Sequence, residues 1–159
     1  MLRVGVLWEA VEPQKNSPNM TYLNVMRSLI DRLGEYGIYS IVDAHQDLLT
    51  RRFCGEGMPD WIVNSGNISK EYQFPFPIPV NISKDSHGYP NLEECVQDLY
   101  FPWWNAALEL ETAWGNFYKD NTSSQAFARH WARVAGMLFH ARHFTGSSLT
   151  HIVPYLQLL

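Results

Sequence analysis

Asp43, His45, Gln46 and Asp47 close the apolar run Tyr39-Ser-Ile-Val, and a Cys54-Gly-Glu-Gly turn and Trp61 follow shortly after. These residue types suit the recognition of hydroxyl-rich ligands. An ionised Asp47 can accept two or more hydroxyl bonds, a usual grip on vicinal sugar hydroxyls, and His45 can donate from one ring nitrogen and accept at the other. Alternation with a period of two sets Asp43, His45 and Asp47 on one side of the chain while it stays extended, as an active-site rim requires. A structural reading stands beside this one, in which Asp47 caps the following segment LLTRRF and His45 is a satisfied structural histidine.

Other chemistries find less support. The Asp43-x-His45-x-Asp47 string can ligate a divalent cation, but His87, His130, His140, His143 and His151 lie in segments without a ligand pattern. Neither a metal nor a cofactor is expected. A serine-hydrolase elbow is absent, Ser65-Gly66 having no strand before it, and so are phosphate-cradling glycine loops. Cys54, in the turn FCGEG, is not expected to act as an activated nucleophile.

The chain that must position these groups has 159 residues, 46% of them hydrophobic and 18% charged, which fits one globular domain or a piece of a larger one. A net charge of −4 without a basic cluster argues against nucleic acid as a partner. No apolar run approaches the roughly 20 residues needed to cross a bilayer, and MLRVGVLWEAVEP lacks the form of a signal peptide. Aromatic residues make up 14%, with six Trp; such a composition builds sugar-binding clefts and aromatic cores alike.

Leu2 to Trp8 reads as a buried strand that ends before Pro13. Thr21 is the expected N-cap of a helix whose face carries Leu23, Met26, Leu29, Ile30 and Leu33, with Gly37 closing it. Ile38 to Ala44 returns to a strand. Strand, helix, strand in this span makes a βαβ unit and a parallel sheet. From about 52 to 92 the periodicity is lost in Pro, Gly and Asn, the signature of a functional loop. Residues 93 to 118 are helix-compatible. A second helix begins at Ser124, with Phe127, Trp131, Val134, Ala135 and Leu138 on one face. The tail LTHIVPYLQLL resembles the start of a third strand, with Pro154 awkward in its middle. The pattern fits two to three consecutive units of a (β/α) barrel or an open α/β sheet.

Four Asn-x-Ser/Thr sequons, at Asn19, Asn67, Asn81 and Asn121, favour a secretory-pathway history with these segments on the surface. Cys54 and Cys95 lack metal-type spacing. They form one disulfide in an oxidising compartment or two buried thiols in the cytosol.

The chain resembles the endoglycoceramidase branch of glycoside hydrolase family 5. The likeness is carried by RVGVLWEAVEP (3–13), by GIYSIVDAHQDLLTRRFCGEGMPDW (37–61) and by AWGNFYKDN…FARHWARVA (113–135). It extends over about residues 2 to 140 and is poor between about 64 and 92. The string from His45 to Trp61 is long and specific. The resemblance implies an α/β fold that is a partial (β/α)8 TIM barrel, about strands two to four with their helices. Residues 1–159 would then be an incomplete family 5 catalytic domain, truncated at both ends. The implied reaction is retaining hydrolysis of the bond between sugar and ceramide in glycosphingolipids.

The same resemblance gives Arg3 the role of supporting a catalytic carboxylate. It places His45 and Asp47, with Gln46 and Trp8, in the sugar subsite. It also strengthens the pairing of Cys54 with Cys95. The acid/base and nucleophile glutamates are expected beyond Leu159, so the chain alone should be inactive. Glu9, Glu12 and Glu56 are not expected to replace them. The apolar, Pro-rich stretch 72–80 is expected to face lipid, and the longer protein to reside outside the cell or in a lysosomal or endomembrane lumen. Two alternatives remain: a non-catalytic glycolipid-binding product, and a family 5 glycosidase acting on another β-glucoside or glucan.

Overall fold

The computed structural model describes residues 1–64, 66, 82–97 and 107–138. The chain divides into two compact units, one built from 1–45 with the segment from Ala126 onward, the other from 46–125.

The first unit is the expected βαβ element. Strand β1 (Leu2–Gly5) pairs in parallel with β2 (Ser40–Asp43), in a register that sets Gly5 opposite Asp43. Backbone bonds extend the pairing at both ends, from Leu2 N to Tyr39 O and from Val6 N to Asp43 O, each 2.8 Å. β1 is shorter than the apolar run implied. Leu7 O accepts from Ala10 N and Val11 N, so Trp8–Val11 turns into a short helix, α1, rather than extending the strand. Pro13 has no N–H with which to prolong it.

Helix α2 (Met20–Glu35) is capped by Asn19, whose side chain accepts from Tyr22 N, and not by Thr21. Its far end is a Schellman motif: Ile38 N donates to Leu33 O and Gly37 N to Gly34 O, with Gly37 at φ 69°. The inward stripe is narrower than its sequence suggests. Leu23 and Met26 are buried and Ile30 and Leu33 partly so, whereas Leu29 is 43% exposed. Val4, Val6, Val11, Leu23, Met26, Val42, Val134 and Leu138 form the core of this unit. Each such side chain contributes about 1.5–3 kcal/mol of burial.

In the second unit, the span expected to lack structure from 52 onward carries two single 3-10 turns, Arg51–Phe53 and Asp60–Ile62. The expected helix over 93–118 is represented by α3 (Leu92–Gln97) and α4 (Leu108–Lys119). α4 buries Leu110, Ala113 and Phe117 at helical spacing. Asp120 then starts α5 (Asn121–Leu138), three residues earlier than Ser124. Its carboxylate accepts from Thr122 N, Ser123 N and the Ser123 hydroxyl. These bonds, the hydroxyl's first, hold its carboxyl below the usual range. The third-strand expectation at 149–159 and the apolar stretch 72–80 lie outside the described residues.

Candidate functional site

The strand ends of the first unit gather two basic side chains, Arg3 and His45, around one carboxylate. Asp43 is the last residue of β2 and is buried. Its Oδ2 lies 3.4 Å from Arg3 Nε and 3.4 Å from His45 Nδ1. Parallel pairing of β1 with β2 explains the first contact, since Arg3 sits opposite Ile41, two positions before Asp43. Two residues beyond the strand, His45 turns back onto the same oxygen. A carboxylate beside Nδ1 helps to orient the imidazole ring. Arg3 is 66% exposed along its side chain, so its charge reaches Asp43 from the solvent side.

Trp8, expected beside the sugar, is 1% exposed. Its ring stacks on His130 at 5.3 Å and meets Phe127 at 5.5 Å. His130 is itself 0% exposed, and neither ring nitrogen has a hydrogen-bond partner among the described residues. Burial lowers its pKa to about 4, and the Arg133 charge adds to the effect. Glu12 is 3% exposed. It accepts from Asn16 N and from the Arg133 guanidinium, and so serves the fold of this unit.

Gln46 and Asp47 open the second unit, in a loop that is wound tightly. Gln46 Oε1 accepts from Leu49 N at 3.1 Å, which commits its carbonyl oxygen to the turn. Asp47 and Glu56 exchange backbone bonds, Asp47 N to Glu56 O at 3.1 Å and Glu56 N to Asp47 O at 2.8 Å. The Asp47 side chain is partly exposed. Gly55 permits the crossing: a Cβ there would lie 2.0 Å from Asp47 O and 2.7 Å from Leu48 Cβ. Leu48, Leu49 and Cys54 take positive φ values of 49°, 69° and 59°, a conformation costly for residues with a side chain.

The loop is tied to the segment 82–97 by a disulfide between Cys54 and Cys95, as expected, with a Cα–Cα distance of 5.5 Å. Arg51 stacks over the Tyr89 ring at 5.2 Å. Asp60 accepts from the buried Thr50 hydroxyl. It also lies 3.8 Å from Arg52 Nε. Its hydrogen bond with Tyr89 holds the tyrosine hydroxyl above its ordinary pKa. Thr50, Asp60 and Tyr89 carry no motif that would single them out, and only the juxtaposition of the two segments reveals them. Asp43 was visible as part of the polar string, but its place at the hub depends on the β1–β2 register. Of the sequons, Asn19 and Asn121 lie at helix starts, while Asn67 and Asn81 fall outside the described residues.

No family model matches the chain. Among curated proteins it is 31% identical to an endoglycoceramidase of Cyanea nozakii over 86% of its length and 24% of that protein. It is 32% identical to an endoglycoceramidase of Hydra vulgaris over 86% of its length and 23% of that protein. The chain thus spans about a quarter of the length of the curated relatives it matches. Its fold matches endo-glycoceramidase II from Rhodococcus sp. in a five-membered iminocyclitol complex, with a TM-score of 0.61 at 19% identity. That match covers 85% of this chain and 27% of that one. A ganglioside GM3 complex of the same protein matches with a TM-score of 0.59 at 19% identity, covering 85% and 28%. The chain resembles endoglycoceramidases in sequence and in fold.

Proposed function

We infer that this chain is part of an endoglycoceramidase-type glycoside hydrolase of family 5, in which it supplies barrel strands and one wall of the sugar subsite. The longer protein hydrolyses the bond between sugar and ceramide in glycosphingolipids. The likeness over 86% of the chain carries this reading. The geometry supports it from below. A histidine beside a strand-end carboxylate and a partly exposed aspartate in a tied loop are groups suited to sugar hydroxyls. Working residues of α/β barrels lie where strands end and loops begin. The disulfide supports an oxidising destination, outside the cell or in a lysosomal or endomembrane lumen.

Retaining hydrolysis needs two carboxyl groups about 5–5.5 Å apart, one acting as acid and the other as nucleophile. Glu12 is held by Arg133 and Asn16, and Glu94 accepts from Ser83. These assignments favour structural roles, and the proposal places the reacting glutamates elsewhere in the longer protein. The isolated 159 residues should therefore leave a fluorescent glucosylceramide or ganglioside intact at about pH 5; appreciable ceramide release would overturn that. They should also bind lactose weakly but saturably, and Asp47→Ala should abolish the binding. Unchanged binding by that variant would remove Asp47 from the subsite.

A further inference from the structure

We propose that Asn19 is an N-linked glycosylation site at which one side-chain amide both caps a helix and carries the glycan. The proposal rests on the lumenal reading above, since the modification requires passage through that compartment. Asn19-Met20-Thr21 is a sequon, and both Asn19 and Thr21 are exposed. Asn19 Oδ1 accepts from Tyr22 N at 3.0 Å, its backbone N donates to Val11 O, and its backbone O accepts from Leu23 N. The carbonyl oxygen of the amide is thus committed to α2, while glycan transfer acts on the amide nitrogen. In that transfer Nδ2 bonds to C1 of the first sugar and loses one proton. The bond from C1 to the pyrophosphate of a lipid-linked oligosaccharide donor breaks, and the lipid pyrophosphate leaves. The carbonyl is untouched, so a glycosylated Asn19 keeps its capping acceptor.

The sequon at Asn121 differs. Ser123 is 3% exposed and its hydroxyl donates to Asp120 Oδ2 at 2.8 Å. The hydroxyl that the transferase must engage is there part of a helix cap, so the proposal is confined to Asn19. Position gives the glycan a further consequence. In a parallel βαβ unit the crossover helix runs back along the sheet, and its start lies at the end where the strands finish. Asn19 therefore stands at the same end of the first unit as Asp43 and His45. A glycan there would rise from the rim of the strand-end cluster, away from the Leu23 and Met26 face.

The test is translation of the chain, fused to a cleavable leader, in the presence of endoplasmic-reticulum microsomes. Counting only protease-protected chains restricts the readout to translocated product. Thr21→Ala and Asn19→Asp should each remove one endoglycosidase-sensitive step in gel mobility. An unchanged number of steps in both variants would overturn the proposal. A thermal melt tests the shared amide. In unglycosylated protein, Asn19→Asp keeps a capping oxygen and should retain the parent melting temperature, whereas Asn19→Ala should lower it. Equal losses in the two variants would remove the capping role. Neither readout depends on hydrolysis, so failure of the glycosidase reading would leave this result standing, and the reverse also holds.

Discussion

The Arg133 guanidinium donates to the Glu12 carboxylate across 121 positions of sequence, joining α5 to the end of α1. Glu12 is buried, so removing its partner leaves a carboxylate with poor access to water. Arg133→Met should cost about 2–4 kcal/mol, reduced from a fully buried pair by the partial exposure of Arg133. The double variant Glu12→Leu with Arg133→Met should recover much of the loss. Urea unfolding of the three variants measures both effects.

His130 gives the first unit a calculable dependence on pH. Its pKa is about 4 in the fold and about 6.5 in the unfolded chain. Between those values the unfolded chain binds a proton that the fold does not. Stability is therefore complete above about pH 6.5, falls as the pH drops toward 4, and levels off below. The span amounts to about 3 kcal/mol. His130→Phe should flatten the curve, a result readable from melts in a buffer series.

The Cys54–Cys95 bond closes a loop with a sequence separation of 41 residues. Loop-closure entropy assigns such a crosslink about 4 kcal/mol. Reduction, or Cys54→Ser with Cys95→Ser, should lower the stability of the second unit by an amount of that order. Amide exchange of Asp47, Glu56 and Met58 should accelerate, because their backbone bonds close the loop that the bond anchors.

Gly55→Ala places a methyl group where Asp47 O and Leu48 Cβ already sit. The bridge from Asp47 to Glu56 must then open, at a cost of about 2–3 kcal/mol. If Asp47 belongs to the sugar subsite, lactose binding should weaken in step with the melt. Gly115→Ala, inside α4 with open space around its Cβ, is the control: it should leave lactose binding unchanged and raise stability slightly, by about 0.5–1 kcal/mol.

Local patterns in the sequence were sufficient for the βαβ unit. Valines in β1 and β2, the stripe along α2 and Gly37 each act over a few residues, and a parallel pair is what they allow. Boundaries were missed where side chains compete for helix ends. Asn19 and Asp120 reach their caps before Thr21 and Ser124, and Leu7 O draws Trp8 into a turn. The polar string at 43–47 announced a rim, but the roles within it depend on distance in space. Asp43 becomes the hub because the register brings Arg3 alongside, whereas Gln46 spends its carbonyl on Leu49 N. Trp8 shows the limit of composition: an aromatic at a strand end suggests a sugar platform, yet this ring is enclosed by His130 and Phe127. The pairing of Arg133 with Glu12 has no local signal at all.

Leu48 and Leu49 occupy consecutive left-handed conformations while their side chains stay buried. Expressed as kinetics, a segment fixed in so uncommon a shape has little left to reorganise when a ligand arrives. Sugar association at Gln46 and Asp47 should then follow encounter and desolvation in a single phase. A slow, concentration-independent step of loop closure should not limit it.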